Sequence, residues 1–276
     1  MSARIIGLVA GGGGLPGKVI ETLRMKGIGF KVVALDGFAE CLPLLNTEDY
    51  IKIKLGQIGK GISFFKKFGI TEILMVGGVK RPSLTSLIPD FWTAKFIAKI
   101  SLKFLGDDGI LKAVNNALKD EGFSIIGIQD VMDDIFAKEG VFGKRSPDDQ
   151  AMADIRYGIS LLKSLSSLDI GQGVVIQQGL VIAVEAIEGT DNMLSRVKDF
   201  KREGAAPVLV KMKKIGQHDK LDIPTVGSST VITAHRNGVR GIAVQAGGVL
   251  IADYEDMVKT ANELGVFIYG YDLNQY

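Results

Sequence analysis

Three acidic side chains occur within seven positions of one short stretch of the chain. Residues 181–193 read VIAVEAIEGTDNM, so an apolar run is followed by Glu185, Glu188 and Asp191. Three carboxylates this close together can hold a divalent cation. The alternative is that the acidic residues only complement a helix dipole, and that Glu185 forms an ordinary ion pair.

Two elements must position these carboxylates. The β-branched run predicts a buried strand over residues 181–185, and Gly189 then ends it. Thr190 or Asp191 is expected to N-cap a helix over residues 192–199. The free N–H groups at such a helix N-terminus can hold a phosphate.

A basic set accompanies the carboxylates in the second half of the chain. Lys211 ends a strand predicted over residues 207–211, and Lys213 and Lys220 follow it. Asp222 comes next, in a loop that Pro224 stiffens shortly before a predicted helix. Carboxylates that hold a cation beside lysines that neutralise phosphate oxygens suit a metal-bridged phosphate ester.

Four consecutive glycines follow the first apolar strand, which is predicted over residues 4–10, and Leu15 then opens a helix. Together with Gly17 and Asp36 they match the G-x-G-x-x-G dinucleotide fingerprint. Four glycines in a row, however, match almost any glycine pattern. Two interpretations stay open: backbone amides accessible to a phosphate or nucleotide, and a tight turn alone.

Two basic residues, Lys80 and Arg81, lie just after the strand predicted over residues 72–76. In α/β folds, ligands bind outside the carboxyl ends of the strands. These side chains are therefore candidates for ligand binding, with a solvated turn as the alternative.

Strands and helices alternate along the first half, which predicts an α/β fold with a Rossmann-like parallel sheet. The pattern fades before the second half, so we predict an N-terminal domain over residues 1–134, a linker over residues 135–146 and a catalytic domain over residues 147–276. Residues 174–177 and 181–185 form a predicted hairpin. The C-terminal domain is therefore expected to be an α/β domain with a mixed sheet.

A helix predicted over residues 91–105 carries Lys95, Lys99 and Lys103 on one face and apolar side chains on the other. With Trp92 near its start, such a helix can lie on an anionic membrane surface. The alternative is a helix that covers the domain core and exposes its lysines to water.

The composition argues against several classes of protein, including those that bind nucleic acid or contain disulfides. Lys and Arg number 33 against 31 Asp and Glu, a net charge of +2, so no nucleic-acid footprint is expected. The single cysteine, Cys41, excludes an internal disulfide and fits a reducing compartment. The first residues lack the features of a signal peptide and no apolar run is long enough to span a bilayer, so a cytoplasmic protein is expected.

The order of these motifs resembles the LpxI family, the UDP-2,3-diacylglucosamine pyrophosphatases of lipid A biosynthesis in Gram-negative bacteria. The resemblance extends over essentially the whole chain. Its motifs are Gly11-Gly12-Gly13 with Leu15-Pro16; Gly77 to Arg81-Pro82; Gly106-Asp107-Asp108; Gly143-Lys144 with Ser146-Pro147; Asp169-Ile170-Gly171-Gln172-Gly173; Glu185 with Glu188-Gly189-Thr190-Asp191; and Asp222-x-Pro224 with Gly227.

The resemblance implies that water attacks the α-phosphorus of UDP-2,3-diacylglucosamine and releases UMP and 2,3-diacylglucosamine 1-phosphate (lipid X). It also implies Mg²⁺ or Mn²⁺ as cofactor, two domains with the lipid substrate between them, and a homodimer formed by the second domain. Peripheral contact with the inner membrane would give access to such a substrate. The resemblance makes Asp222 the essential residue.

The motifs and charges together give the expected site residues. Asp222 is the expected catalytic residue. The expected metal ligands are Asp222, Glu185, Glu188 and Asp191. The expected substrate-binding residues are Gly11, Gly12, Gly13, Leu15, Lys80, Arg81, Gln172, Thr190, Lys211 and Lys213.

Two other functions stay open. An NAD(P)-dependent oxidoreductase would use the glycine pattern and Asp36, but it would leave the carboxylates of the second half without a role. A non-catalytic nucleotide-sugar binding protein would keep the binding residues and dispense with the metal.

Overall fold

The computed structural model describes residues 4–79, 87–99, 107–215 and 223–276. The chain divides into two compact units, with the boundary between Asp133 and Asp134. Each unit is built around its own sheet. Among the helices that the structure describes, none combines the length and the apolar character needed to cross a membrane.

The first unit contains a five-stranded parallel sheet in the order β3-β2-β1-β4-β5. The parallel α/β architecture expected for this half is confirmed. The central strands are almost entirely apolar, as strands covered by helices on both faces must be. The strands are β1 Ile5–Ala10, β2 Gly29–Leu35, β3 Tyr50–Ile53, β4 Glu72–Val76 and β5 Ser124–Ile126.

The helices described beside this sheet are α1 Leu15–Met25, α2 Ile58–Lys67, α3 Phe91–Lys99 and α4 Asp107–Asp120. Pro16 lies in the first turn of α1, where a missing N–H costs nothing. Phe65 of α2 packs edge-on against Phe123, just before β5, within the core of this unit. The core thereby joins elements that are far apart in sequence.

The second unit contains a six-stranded mixed sheet in the order β6-β13-β11-β9-β7-β8, which confirms the expected mixed α/β domain. β9, β11 and β13 are parallel, whereas β7 is antiparallel to both β8 and β9. The strands are β6 Gly140–Phe142, β7 Gly173–Gln177, β8 Leu180–Val184, β9 Val208–Lys211, β10 Thr225–Val226, β11 Gly241–Gln245, β12 Leu250–Ile251 and β13 Phe267–Tyr271, with β10 and β12 in a separate pair.

Helices cover both faces of this second sheet. α5 buries Ile155 and Ile159 against one face, in a cluster that includes Tyr271 of β13. The other face packs against the buried sides of α6, α7 and α8, for example through Met193 and Met257. The helices are α5 Asp149–Ser166, α6 Gly189–Phe200, α7 Ser228–Arg236 and α8 Tyr254–Leu264.

Residues 135–146, which the sequence predicts as a linker, contain a strand of the second sheet. β6 pairs antiparallel with β13, and Phe136 forms a bridge with Leu250. The strand is only three residues long and is followed by Gly143, so it is too short to show a hydrophobic period.

The predicted amphipathic helix is described only as far as Lys99. Within α3, Thr93 is buried and Trp92 packs against the core of the first unit. Phe96 is half-buried and stacks on Trp92, while Ile97 is exposed along with Lys95 and Lys99. This helix therefore covers the core along a narrow stripe only.

Candidate functional site

The carboxyl ends of β8 and β9 lie at one end of the second sheet, where β7 begins. This follows from the topology, because β7 runs antiparallel between them: Gly173 pairs with Lys211, and Val174 with Val184. This topology brings three features to the same end of the sheet: the Asp169–Gly173 motif, Glu185 and Lys211.

Lys211, Thr190 and Glu185 form a buried polar network there. Lys211 Nζ donates to Thr190 Oγ1 at 2.6 Å, and Thr190 Oγ1 donates to Glu185 Oε1 at 2.9 Å. The second carboxylate oxygen, Glu185 Oε2, lies 3.9 Å from Lys211 Nζ, and the two side chains are only 12% and 5% exposed. Buried charges require such pairing, because losing water costs each of them several kcal/mol.

Two glycines of the Asp169–Gly173 motif make room for Glu185. A Cβ at Gly171, where φ is +54°, would lie 2.0 Å from Glu185 O, and a Cβ at Gly173 would lie 2.6 Å from Glu185 Oε2. Glu185 N also donates to Gly173 O at 2.8 Å. Two motifs that are separate in sequence are thus one structural feature.

The helix after Glu185 begins earlier than predicted. α6 starts at Gly189 with Glu188 as its N-cap residue, and the Glu188 side chain makes no capping hydrogen bond. The prediction that Thr190 or Asp191 caps this helix is therefore wrong. The reason lies in tertiary contacts, since the Thr190 hydroxyl is bound to Lys211 and Glu185.

The acidic residues predicted as metal ligands have different partners. Glu188 forms an ion pair with Arg196 at 2.7 Å, and Arg196 also donates to Val184 O. Burial raises the pKa of Glu188, but hydrogen bonds from its own backbone and from Arg196 outweigh this and leave the pKa below its usual value. Asp191 lies exposed in the first turn of α6.

Across the described ranges, no three His, Cys, Asp or Glu side chains are grouped so that they could hold a metal ion. Glu185 Oε2 is buried and has no hydrogen-bond partner among the residues that the structure describes. Asp222, the fourth expected ligand, lies outside the described residues, as do Lys80 and Arg81.

Lys213 and Gln172 lie close in sequence to Lys211 and Gly173, respectively. Lys213 N donates to Gln245 Oε1 at 3.0 Å, and burial lowers the pKa of the Lys213 ammonium. Gln172 O accepts from Met212 N at 3.0 Å, so the motif before β7 is tied to the chain that follows β9.

One residue that supports Lys211 could not be inferred from the sequence. Tyr271, at the end of β13, donates its hydroxyl to Lys211 O at 2.9 Å. Burial raises the pKa of this phenol, which therefore stays protonated as a donor. The contact spans 60 positions of the chain, and only the strand order β13-β11-β9 makes it possible.

Part of the glycine-rich segment of the first unit, residues 11–14, is needed for close packing of the backbone. Gly11 N donates to Val76 O at 2.8 Å, and Gly12 and Gly78 exchange two backbone hydrogen bonds of 2.8 and 3.1 Å. Gly13, with φ of +86°, and Gly14 instead have open space where a Cβ would be. Gly11 and Gly12 thus serve close backbone packing, and the accessible part of the turn lies at Gly13 and just before Leu15.

Asp36, the candidate ribose ligand of a dinucleotide site, has a partner within the protein. Its carboxylate pairs with Lys52 at 2.8 Å, and the hydrogen bond from Lys52 holds the pKa of Asp36 below its usual value. This pairing weakens the case for a nicotinamide cofactor.

The fold and the network define a two-unit α/β protein in which paired acidic and basic groups meet at the carboxyl ends of strands. Residues 5–135 match the family model of the LpxI N-terminal domain, and residues 138–269 match that of the LpxI C-terminal domain. UDP-2,3-diacylglucosamine pyrophosphatase LpxI of Caulobacter vibrioides is 36% identical over 276 residues, covering 98% of each chain. The chain therefore belongs to the LpxI family.

Proposed function

We propose that this protein hydrolyses the pyrophosphate bond of UDP-2,3-diacylglucosamine in lipid A biosynthesis, yielding UMP and lipid X. The observation that carries the proposal is the match to both LpxI domains together with full-length similarity to a relative named for this activity. The buried Lys211 network supports it, because a pyrophosphate needs positive charge nearby.

In this proposal, water attacks the α-phosphorus and the bond from that phosphorus to the bridging oxygen breaks. The bridging oxygen leaves with the sugar phosphate, and the new oxygen remains on UMP. Lys211 and Lys213 neutralise phosphate oxygens, which otherwise repel the nucleophile. Thr190 and Gln172 border the place where these oxygens would bind. The open turn at Gly13 and Leu15, with Lys80 and Arg81, is the candidate substrate site of the first unit.

We propose Mg²⁺ or Mn²⁺ as the cofactor. Asp222 and Asp191 would hold it, because Asp191 is exposed and its carboxylate has no hydrogen bond or ion pair with the residues that the structure describes. Glu188 is paired with Arg196, and Glu185 with Thr190 and Lys211, so both fit a metal less well. When bound, the cation would add positive charge at the phosphate groups.

We also propose that the protein works as a homodimer on the cytoplasmic side of the inner membrane. β8 is an edge strand of the second sheet and exposes Leu180 and Val181, which favours pairing with a second copy. In the first unit, Ile88 is 74% exposed and Phe91 is 87% exposed, close in sequence to the exposed Lys95 and Lys99. Apolar and basic side chains together suit an anionic lipid surface.

Turnover in ¹⁸O-labelled water tests the proposed reaction. The purified protein should release UMP and lipid X from UDP-2,3-diacylglucosamine, and the label should appear in UMP. Label in lipid X alone would contradict attack on the α-phosphorus. UMP binding without turnover would favour the non-catalytic binding protein, and a rise in melting temperature with NADH alone would favour the oxidoreductase.

A further inference from the structure

We propose that Glu185 and Thr190 are positioning residues that hold the charged Lys211 side chain in place, and that Glu185 is not a ligand of the metal. The inference rests on the proposed function, since the lysine would act on the pyrophosphate. It also gives Glu185 and Asp191 different roles, although both belong to the acidic cluster that the sequence predicts as a metal site.

The hydrogen atoms of this network are fixed by chemistry. An ammonium group can only donate, so Thr190 Oγ1 accepts at 2.6 Å from Lys211. The single hydroxyl hydrogen of Thr190 is then free to donate to Glu185 Oε1 at 2.9 Å. Thr190 thus connects the cation to its counter-ion, and it can do so only with a hydroxyl group.

The surroundings of Glu185 fit a counter-ion better than a metal ligand. Its Oε2 atom is buried, lies close to Gly173 and is 3.9 Å from the Lys211 ammonium. A divalent cation on Oε2 would therefore be placed near a second cation in a site with little solvent to screen them. Asp191, exposed on the first turn of α6, has no such conflict.

The backbone of Lys211 is equally constrained. β9 lies between β7 and β11, and Tyr271 donates to Lys211 O at 2.9 Å. With both the backbone and the ammonium held, the hydrogens of Nζ that Thr190 does not use can point at a phosphate oxygen. Such a preorganised charge acts without rearrangement during the reaction.

Variants of Thr190 separate positioning from simple folding. Thr190→Val removes the hydroxyl and keeps the shape, and we expect kcat to fall by about 10²-fold with a smaller change in KM. Thr190→Ser should restore most of the rate. Ser195→Ala is the matched control, because Ser195 lies on the same helix and its hydroxyl donates to a backbone oxygen of that helix, Asp191 O. Parent-like kcat in Thr190→Val would overturn the proposal.

Variants of Glu185 distinguish a counter-ion from a metal ligand. Glu185→Gln should bind Mn²⁺, measured by electron paramagnetic resonance, within about twofold of the parent. It should also melt at a lower temperature, and replacing Lys211 by Met in the same chain should recover much of that loss, because the buried cation is then gone. A tenfold loss of Mn²⁺ affinity, or melting losses that simply add, would overturn the proposal.

Failure of the proposed function gives a different result. If the parent releases no UMP, the melting and Mn²⁺ measurements still decide whether Glu185 is paired with Lys211. The affinity for UMP, measured by calorimetry, then replaces kcat as the quantity compared between the parent and the Thr190 variants. In that case Thr190→Val must weaken UMP binding and Thr190→Ser must restore it, or the inference fails as well.

Discussion

Gly173 and Glu185 are in such close contact that a Cβ on the glycine would lie 2.6 Å from Glu185 Oε2, so any side chain added there must push the carboxylate from its place. The first prediction follows directly. Gly173→Ala should displace the carboxylate, with a loss of stability of about 1–3 kcal/mol typical of overpacking, and the rate should fall because Lys211 loses its counter-ion. Melting temperature and UMP release measure the two effects.

Parent-like behaviour of Gly173→Ala would contradict this prediction. If the variant has the melting temperature and the rate of the parent, Gly173 does not shape the site. The other glycine of the motif, Gly171, should be less tolerant still, since its φ is +54° and a Cβ there would lie 2.0 Å from a backbone oxygen.

The glycine-rich turn of the first unit gives the second prediction. Gly11→Ala should lower the stability of the protein, because its Cβ would lie 2.7 Å from the backbone oxygen of Gly77. Gly14→Ala is the matched control, since open space surrounds that position and its φ is −74°. Thermal unfolding measures both. Equal melting temperatures for the two variants would show that the close packing of the turn matters little.

Hydrophobic periodicity was sufficient for the longer elements of the fold. The sequence predicts strands over residues 4–10, 72–76 and 174–177, and the structure has β1, β4 and β7 within one residue of these bounds. The two- and three-residue strands β6 and β10 were missed, because their pairing depends on distant partners and not on a local pattern.

The sequence predicts which charged residues belong to the site, but not how these residues pair with one another. Charge and spacing indicate Glu185, Glu188 and Lys211 as site residues. Which carboxylate meets which cation depends on the strand order β9-β7-β8 and on Arg196, which pairs with Glu188. Neither can be inferred from local sequence.

Metal dependence gives the third prediction. A chelator should abolish UMP release, and Mg²⁺ or Mn²⁺ should restore it. Asp191→Asn should weaken Mn²⁺ binding at least tenfold, whereas Glu188→Gln, the matched control on the same turn, should change it little because Glu188 is paired with Arg196. The control should also cost about 1 kcal/mol of stability, because the Glu188–Arg196 pair is still partly exposed to water.

Mn²⁺ titration with and without each substitution measures these affinities. Full turnover in chelator would refute the metal requirement. A larger loss in Glu188→Gln than in Asp191→Asn would reverse the two assignments.

Asp222, which the family resemblance marks as essential, gives the fourth prediction. Asp222→Ala should lose about 10²- to 10⁴-fold in kcat, the range for loss of acid–base assistance, and more if a metal ligand is lost. Substrate affinity should hold or rise, because a negative charge beside the pyrophosphate is removed. Gly227 is the N-cap residue of α7, so no loss of a helix cap is expected in this variant. Melting temperature, substrate binding and UMP release measure stability, affinity and rate, and a well-folded variant with the parent rate would contradict the essential role.

Membrane contact through the first unit gives the fifth prediction. Asp90 fixes the start of α3 by accepting from Thr93 N at 2.8 Å and from Lys60 N of α2 at 3.1 Å. The exposed Ile88 and Phe91, on either side of this anchor, are therefore held outward. Replacing both by serine should weaken binding to vesicles that contain anionic lipid, because their apolar surface no longer leaves water.

Matched variants separate the apolar and the electrostatic contributions to this binding. Lys95→Glu with Lys99→Glu should weaken the same binding by about 1 kcal/mol for each lysine lost, and added salt should reduce the difference between these variants and the parent. Met25→Ser is the control, since Met25 is an equally exposed apolar residue at the end of α1. Vesicle co-sedimentation at two salt concentrations measures all of them. Parent-like binding by the serine variant would leave Ile88 and Phe91 without a role at the membrane, and equal weakening by Met25→Ser would show that any exposed apolar residue suffices.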